Sequence, residues 1–275
     1  MHVVAPGSSA NLGPGFDALG LALDLPFHFV TGDDAREGDA LLPCEPSHPA
    51  VVAYREAGGR SMSLAWRSPI PPGRGLGFSG AARVAGALAG RIEAGVGEDL
   101  ARSEALALAC ELERHPDNAA ASMLGGFVVS AGGRSVRVPI ALEVEVVLWW
   151  PPTETSTSAS RAALPAEVPF FDAIFNVGRS SLLVAALATG DVAALRVATE
   201  DRLHTDARLG RVPQSAAALE AMRTAEPLAC WLSGSGPTVA ALVAAGGGAR
   251  LLAGLPTDGT SRVLAIDGQG ARVAG

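Results

Sequence analysis

Gly73, Gly75 and Gly77 alternate through the stretch Pro71–Gly90, PPGRGLGFSGAARVAGALAG, and Ser79 comes two residues after the last of them. Glycine tolerates the unusual backbone angles of such a loop. The residues beyond the loop are rich in helix formers, with Ala81, Val84, Ala85 and Leu88 at the spacing of one helical face. A glycine loop feeding a helix N-terminus presents backbone N–H groups and the positive end of the helix dipole, which suits a phosphate. The Ser79 hydroxyl stands where it could reach a metal bound to that phosphate. Taken alone, the loop fits an ordinary glycine-rich turn equally well.

Three other stretches bear on the choice. The opening loop, residues 6–17, is too polar and glycine-rich for a core yet lies between apolar runs, so Asn11 and Asp17 are candidate ligand-facing groups. Both residue types also favour plain turns. Cys110-Glu111-Leu112-Glu113-Arg114-His115-Pro116-Asp117-Asn118 packs charged groups tightly between apolar helices, where a solvated helix end is the alternative. A further glycine loop stands at 233–238, SGSGPT. The chain has no lysine; all 21 basic residues are arginine. That removes a Walker-type GK[ST] loop and any Schiff-base lysine. Phosphate would have to be held by backbone amides, arginine and metal.

The elements that position these groups emerge from periodicity and breakers. His2–Ala5 reads as a short strand, residues 18–30 as apolar with strand and short helical character, and Thr31–Glu45 as an acidic surface loop. Val51–Glu56 reads as a helix and Ser61–Arg67 as a strand entering the central loop. Asp99–Glu113 reads as a helix with Leu100, Ala105, Leu106 and Ala109 on one face, ended or restarted by Pro116. Gly125–Val138 is expected to form a hairpin and Val144–Trp150 a buried strand. From Pro151 the texture turns small and polar, marking a loop near a domain boundary, with expected domains of 1–150 and 151–275. Helices are expected over Val168–Ala188, Val192–Ala198 and Ser215–Ala225, separated by a polar linker, Arg202–Arg208. Strands at Leu228–Leu232 and Val239–Val243 flank the last glycine loop, and a helix and a strand finish the chain at Gly248–Ile266. This mixed order suggests an α+β second domain.

With 275 residues, 48% of them hydrophobic, the chain can bury a sizeable core. No window of about twenty residues is uniformly apolar, so no membrane span is expected. The N-terminus shows no basic and apolar leader, so no signal peptide is expected. Cys44, Cys110 and Cys230 are widely spaced, which supports neither a disulfide framework nor a zinc site and makes a reducing cytoplasm the default. Cys110 and Cys230 read as small core residues. A net charge of −7, no basic run and few aromatics argue against nucleic acid as a partner.

The ordered set PGSSANLGPGFD, PPGRGLGFSGA, HPDNAAASMLGGF, STSASR at 156–161 and SGSGPT resembles the GHMP small-molecule kinases, and within them the homoserine kinase family. Each motif alone is weak, but the five span essentially the whole chain in order. The resemblance implies a two-domain α+β fold: an N-terminal domain with a left-handed β-α-β crossover and a C-terminal ferredoxin-like domain. ATP would lie on the glycine loop, Pro72, Gly73, Arg74, Gly75, Leu76, Gly77, Phe78, Ser79 and Gly80, with Mg2+ on Ser79 and Glu113. Glu111 is the alternative metal ligand. Asn11, Asp17, His115, Asp117, Asn118, Thr157, Arg161, Arg208 and Gly236 would contact the amino acid, with Asn118 orienting its hydroxyl and no dedicated base. Ser79, Glu113 and Asn118 are the implied catalytic set.

Several positions depart from the family pattern. Phe78 replaces the first serine of GLGSS, Gly80 the next alanine, Arg114 the glycine of EGHPDN, and Ser158 a lysine. A phenyl ring at 78 is expected to narrow the triphosphate site. The implied activity is ATP-dependent phosphorylation of the side-chain hydroxyl of L-homoserine, on the route to threonine. The partner is a small molecule, with a homodimer as one option. Alternatives are a kinase of another small alcohol, a catalytically silent metabolite-binding protein, and a Rossmann oxidoreductase. The last rests on GxGxxG at 75–80 without the acidic residue that should close a second strand.

Overall fold

Apolar residues dominate the first thirty positions and give two long antiparallel strands, β1 (His2–Ala10) and β2 (Leu19–Thr31). In the computed structural model, which describes residues 1–36 and 41–274, they pair from His2↔Val30 to Ala10↔Gly20 with the register shifting at Pro6/Gly7. Proline has no N–H for the ladder, and the irregularity absorbs its loss. The strand expected to stop at Ala5 therefore runs on through half of the expected loop. From Leu19 onward the expected 18–30 stretch is strand, without the short helical part expected there. A 3-10 turn (Gly32–Arg36) and β3 (Leu42–Pro43) interrupt the expected 31–45 loop, whose residues 37–40 lie outside the described residues.

Next come α1 (Pro49–Glu56), β4 (Leu64–Arg67), α2 (Phe78–Glu93), α3 (Glu98–Glu113), α4 (Pro116–Leu124) and the hairpin β5 (Phe127–Ala131) and β6 (Arg134–Val138). Helix α2 is nearly enclosed, with the expected Ala81, Val84, Ala85 and Leu88 all buried. Its Gly86 sits where a Cβ would come within 2.0 Å of the Ala50 carbonyl, so α1 and α2 pack backbone to backbone. Helix α3 turns inward the expected Ala105 and Ala109, with Leu106 partly buried beside them, but not Leu100. Ala101, Ala105 and Ala109 are buried, while Leu100 is 57% exposed. Small residues at every fourth position allow close helix packing, and that wins over the larger side chain.

The second half opens with β7 (Val144–Trp150) and continues through α5 (Thr157–Ala162), α6 (Phe170–Thr189), α7 (Val192–Ala198), α8 (Thr205–Leu209) and α9 (Pro213–Thr224). It closes with β8 (Ala229–Leu232), β9 (Val239–Ala244), α10 (Gly248–Leu252), β10 (Thr260–Leu264) and β11 (Arg272–Val273). One sheet has the order β11-β1-β2-β4-β3, with β5 on β2 and β6 on β5; the other is β10-β7-β9-β8, paired antiparallel throughout. The second is a β-α-β-β-α-β arrangement, the ferredoxin-like pattern. Its first strand is β7, which precedes the expected 150/151 division. The chain end returns to the first sheet, where β11 pairs with β1.

Two polar stretches expected to be irregular hold short helices. Ser156 caps α5 by accepting a hydrogen bond from the Ala159 N–H at 3.4 Å. The expected linker 202–208 contains the start of α8, with His204, Thr205 and Arg208 buried. Helix α6 has the length and mean hydropathy, 1.4, that would suffice for a membrane span, and only 22% of that window is buried. Cys110 and Cys230 are half-buried, each against a hydrophobic cluster, and burial pushes the Cys110 thiol up to about 11.

Candidate active site

Helix α2 begins at Gly77, which takes the left-handed angle φ 70° and caps the helix without a side-chain hydrogen bond. The first-turn amides are thus left without a side-chain cap. No larger residue fits the turn. A Cβ on Gly77 would stand 2.1 Å from Ser8 Oγ, and one on Gly75 2.4 Å from the Ser233 carbonyl oxygen. Backbone bonds hold the loop against both other glycine loops: Ser8 N–H donates to Leu76 O at 3.1 Å, and Thr238 N–H to Arg74 O at 3.3 Å. Asn11 Nδ2 donates to Gly234 O at 2.9 Å. Three stretches far apart in sequence thus frame one cleft.

Phe78 lines this cleft, but its ring packs edge-on against Phe27 at 5.5 Å, Trp66 at 5.4 Å and His48 at 5.9 Å. The ring thus joins an aromatic cluster with Phe27 of β2, Trp66 of β4 and His48 while remaining in the lining of the cleft. Arg114, in place of the family's glycine, takes the left-handed φ of 64° that glycine would adopt freely.

Ser79 donates to Glu113 Oε1 at 2.5 Å, and Arg83, one turn along α2, pairs with the same oxygen. Glu113 is 6% exposed at its side chain, whereas Glu111 is exposed and outside the cleft. Pro116 starts α4 directly after His115, so Asp117 and Asn118 fall in its first turn. Asp117, 2% exposed, accepts from the Asn118 N–H at 2.8 Å. It also lies 3.6 Å from His115 Nδ1, and this neighbouring carboxylate, with Glu113 beyond it, raises the histidine's pKa against the opposing effect of burial. Asn118 Oδ1 accepts from Ser8 Oγ at 2.8 Å.

The opposite wall is cationic. Arg161 holds both carboxylate oxygens of Asp17, at 2.8 and 2.9 Å. Arg208, 5% exposed, donates to Gly234 O at 2.9 Å, and burial lowers its pKa. Both guanidinium groups lie over the Phe16 ring, at 5.3 and 5.1 Å. Thr157 reaches Ser235 Oγ at 3.3 Å. All the expected site residues line the cleft except two, Pro72 and Gly236. Gly236 lies behind it, its carbonyl accepting from Thr155 Oγ1 at 2.7 Å.

Sequence reasoning missed Thr155, Ser235, Ser8 and Arg83. The first three lie in stretches marked as polar loops, where no spacing rule selects one hydroxyl among several. For Arg83 a signal existed, because a residue four positions after Ser79 shares its helix face. Among the described residues no group of three His, Cys, Asp or Glu side chains could cage a metal. Ser79 and Glu113 supply two hard oxygens, which fits Mg2+, an ion that keeps waters and substrate phosphates in its shell.

The sequence model of the GHMP kinases N terminal domain matches residues 48–126. A homoserine kinase of Streptomyces coelicolor is 40% identical over 292 residues, covering 99% of this chain and 94% of that protein. One from Thermus thermophilus is 41% identical over 285 residues, covering 96% of each. Among solved structures, a homoserine kinase from Cytophaga hutchinsonii superposes with a TM-score of 0.84 at 25% identity, over 100% of this chain and 97% of that one. A mevalonate kinase at 12% identity shares the fold alone, with a TM-score of 0.71 over 98% and 100% of the two chains.

Proposed function

The chain belongs to the homoserine kinase family of the GHMP kinases, and from that membership we infer that it transfers the γ-phosphoryl group of ATP to the side-chain hydroxyl of L-homoserine. The product, O-phospho-L-homoserine, lies on the route to threonine. The observation that supports an amino acid as acceptor is the Asp17–Arg161 pair beside Arg208 and Asn118. A zwitterion is the complement of an Asp–Arg pair, its ammonium matching the carboxylate and its carboxylate the guanidinium. The pair is 33% and 44% exposed, and exposed pairs are worth only about 0–1 kcal/mol, so substrate can replace it readily. Arginine's planar fork suits a carboxylate bidentately.

The residues divide the work by chemistry. Amides of the glycine loop and the first turn of α2 cradle the phosphates. Ser79 and Glu113 are the groups that would hold Mg2+, which when bound neutralises the phosphate charge that develops in transfer. Arg83 keeps the Glu113 carboxylate oriented toward Ser79. Asn118 orients the acceptor hydroxyl but cannot take its proton. With a loose transition state, positioning and charge stabilisation carry most of the rate, and no dedicated base is needed.

The test is ADP release measured across a panel of alcohols. L-Homoserine is expected to be best, with its deaminated and decarboxylated analogues each poorer by roughly two to three orders of magnitude, since either leaves a polar site unpaired. Equal turnover of homoserine and the deaminated analogue would overturn the role of Asp17.

A further inference from the structure

His204 and Asp201 are 1% exposed at their side chains and belong to no part of the site described so far. Asp201 accepts from Asn176 Nδ2 at 2.7 Å and from the backbone N–H groups of Leu203, His204 and Thr205 at 3.1, 2.9 and 2.7 Å. It thereby locks the turn that presents His204. On one side His204 Nε2 lies 2.8 Å from the carbonyl oxygen of Gly13; on the other, Nδ1 lies 3.3 Å from Nη1 of Arg208. A carbonyl can only accept and a guanidinium can only donate. The two contacts therefore dictate one state of the ring, neutral with its proton on Nε2, and burial favours that uncharged form.

Gly13 lies midway in the segment that carries Asn11 and Asp17. It adopts φ +87° and abuts the Thr199 carbonyl so closely that a Cβ would stand 2.2 Å from it. Phe16, whose face underlies both Arg161 and Arg208, also packs on the His204 ring at 5.1 Å. One imidazole thus joins the loop that offers a carboxylate to the arginine that offers a cation.

We propose that His204, as the Nε2–H tautomer, is a positioning residue that clasps the Asn11–Asp17 loop to Arg208 and so sets the spacing of the amino-acid site. The inference rests on the substrate reading above. The clasp meets the nucleotide loop only at second hand, through Gly234, to which Asn11 and Arg208 both donate, so its loss acts first on the acceptor.

The ring state is read directly by long-range 15N correlation NMR of the intact protein. A proton on Nε2 supports the clasp, and a proton on Nδ1 overturns it. In steady-state kinetics, His204→Leu is expected to raise the homoserine KM by roughly tenfold or more, as loss of a hydrogen bond to a charged group would, with ATP KM changed less than about threefold. His204→Gln, with a donor and an acceptor on its amide, is expected to recover most of the loss. Adding His204→Leu to Arg208→Ala is expected to raise the homoserine KM little further, because the histidine acts through the arginine. Equal rises in both KM values, or additive effects in the pair, would show a merely structural role and overturn the proposal. An unchanged homoserine KM in Arg208→Ala alone would instead overturn the substrate reading, a failure that the tautomer measurement separates from that of the clasp.

Discussion

Glu113 is the residue whose surroundings specify most about the chemistry. Its carboxylate takes a hydrogen bond from Ser79 and an ion pair from Arg83 while nearly enclosed, so its charge is held at one point beside the loop. Glu113→Gln keeps the shape and removes the charge. It is expected to lower kcat at least ~100-fold with homoserine KM little changed, the pattern of a group that acts mainly in the transition state. Glu111→Gln, on an exposed position, should stay within about twofold of wild type, as surface substitutions usually do. A loss confined to Glu111→Gln would move the metal site. Phe78 makes a separable case. Its ring packs in the Phe27–Trp66–His48 cluster, so Phe78→Ser is expected to cost about 2–4 kcal/mol in urea unfolding while leaving ATP affinity near wild type. A large loss of ATP affinity without loss of stability would mean the ring contacts nucleotide.

At the scale of elements, the loop-to-α2 junction is where backbone geometry and ligand binding coincide. Gly77 has a positive φ and has Ser8 against its missing side chain, so Gly77→Val is both strained and obstructed. It should abolish ATP binding in a fluorescence titration and lower the melting temperature. Gly95, just past the other end of α2, separates the two causes: its φ is +84°, and a Cβ there would meet nothing within 4 Å. Gly95→Ala should cost about 1–2 kcal/mol by backbone strain alone and leave the ATP KM unchanged. A Gly77→Val protein that binds ATP like wild type would place the phosphate cradle elsewhere.

For the whole molecule, burial sets the response to acid. His28 is held down to about 4 by burial first and then by Arg67, and burial likewise lowers His2, His48 and His204. In the unfolded chain these rings take up protons near pH 6.5, while in the folded protein they do so only at lower pH. The unfolded state therefore binds more protons in that window, and stability falls as pH drops from about 6.5 toward 4. His115, raised by Asp117, works the other way: its contribution is full below about pH 6.5 and is lost as pH rises through its higher folded value. Four rings against one predicts a urea midpoint clearly lower at about pH 4.5 than at about pH 7, with a smaller drop in His28→Gln. A midpoint flat between about pH 7 and 5 would contradict this account.

Much of this was legible in the chain itself. The helical face of α2 and the β5–β6 hairpin came from short-range periodicity, and the absence of lysine already turned phosphate binding over to backbone amides. The ordered glycine motifs named the family, because loops that must approach a ligand closely tolerate few residue types. Other features depended on contacts between segments far apart in sequence. The direction of the Phe78 ring depends on Trp66 and His48. The pairing of β7 with β9 and β10, rather than with the strands before it, depends on strands about a hundred residues later. The burial of Leu100's neighbours instead of Leu100 depends on how closely α3 packs against the rest of the core. The state of His204 depends on Gly13, 191 residues away, and no local pattern marks it. Periodicity reports which face of an element is apolar; only tertiary packing decides what that face meets, and a side chain's protonation and direction are properties of what it meets.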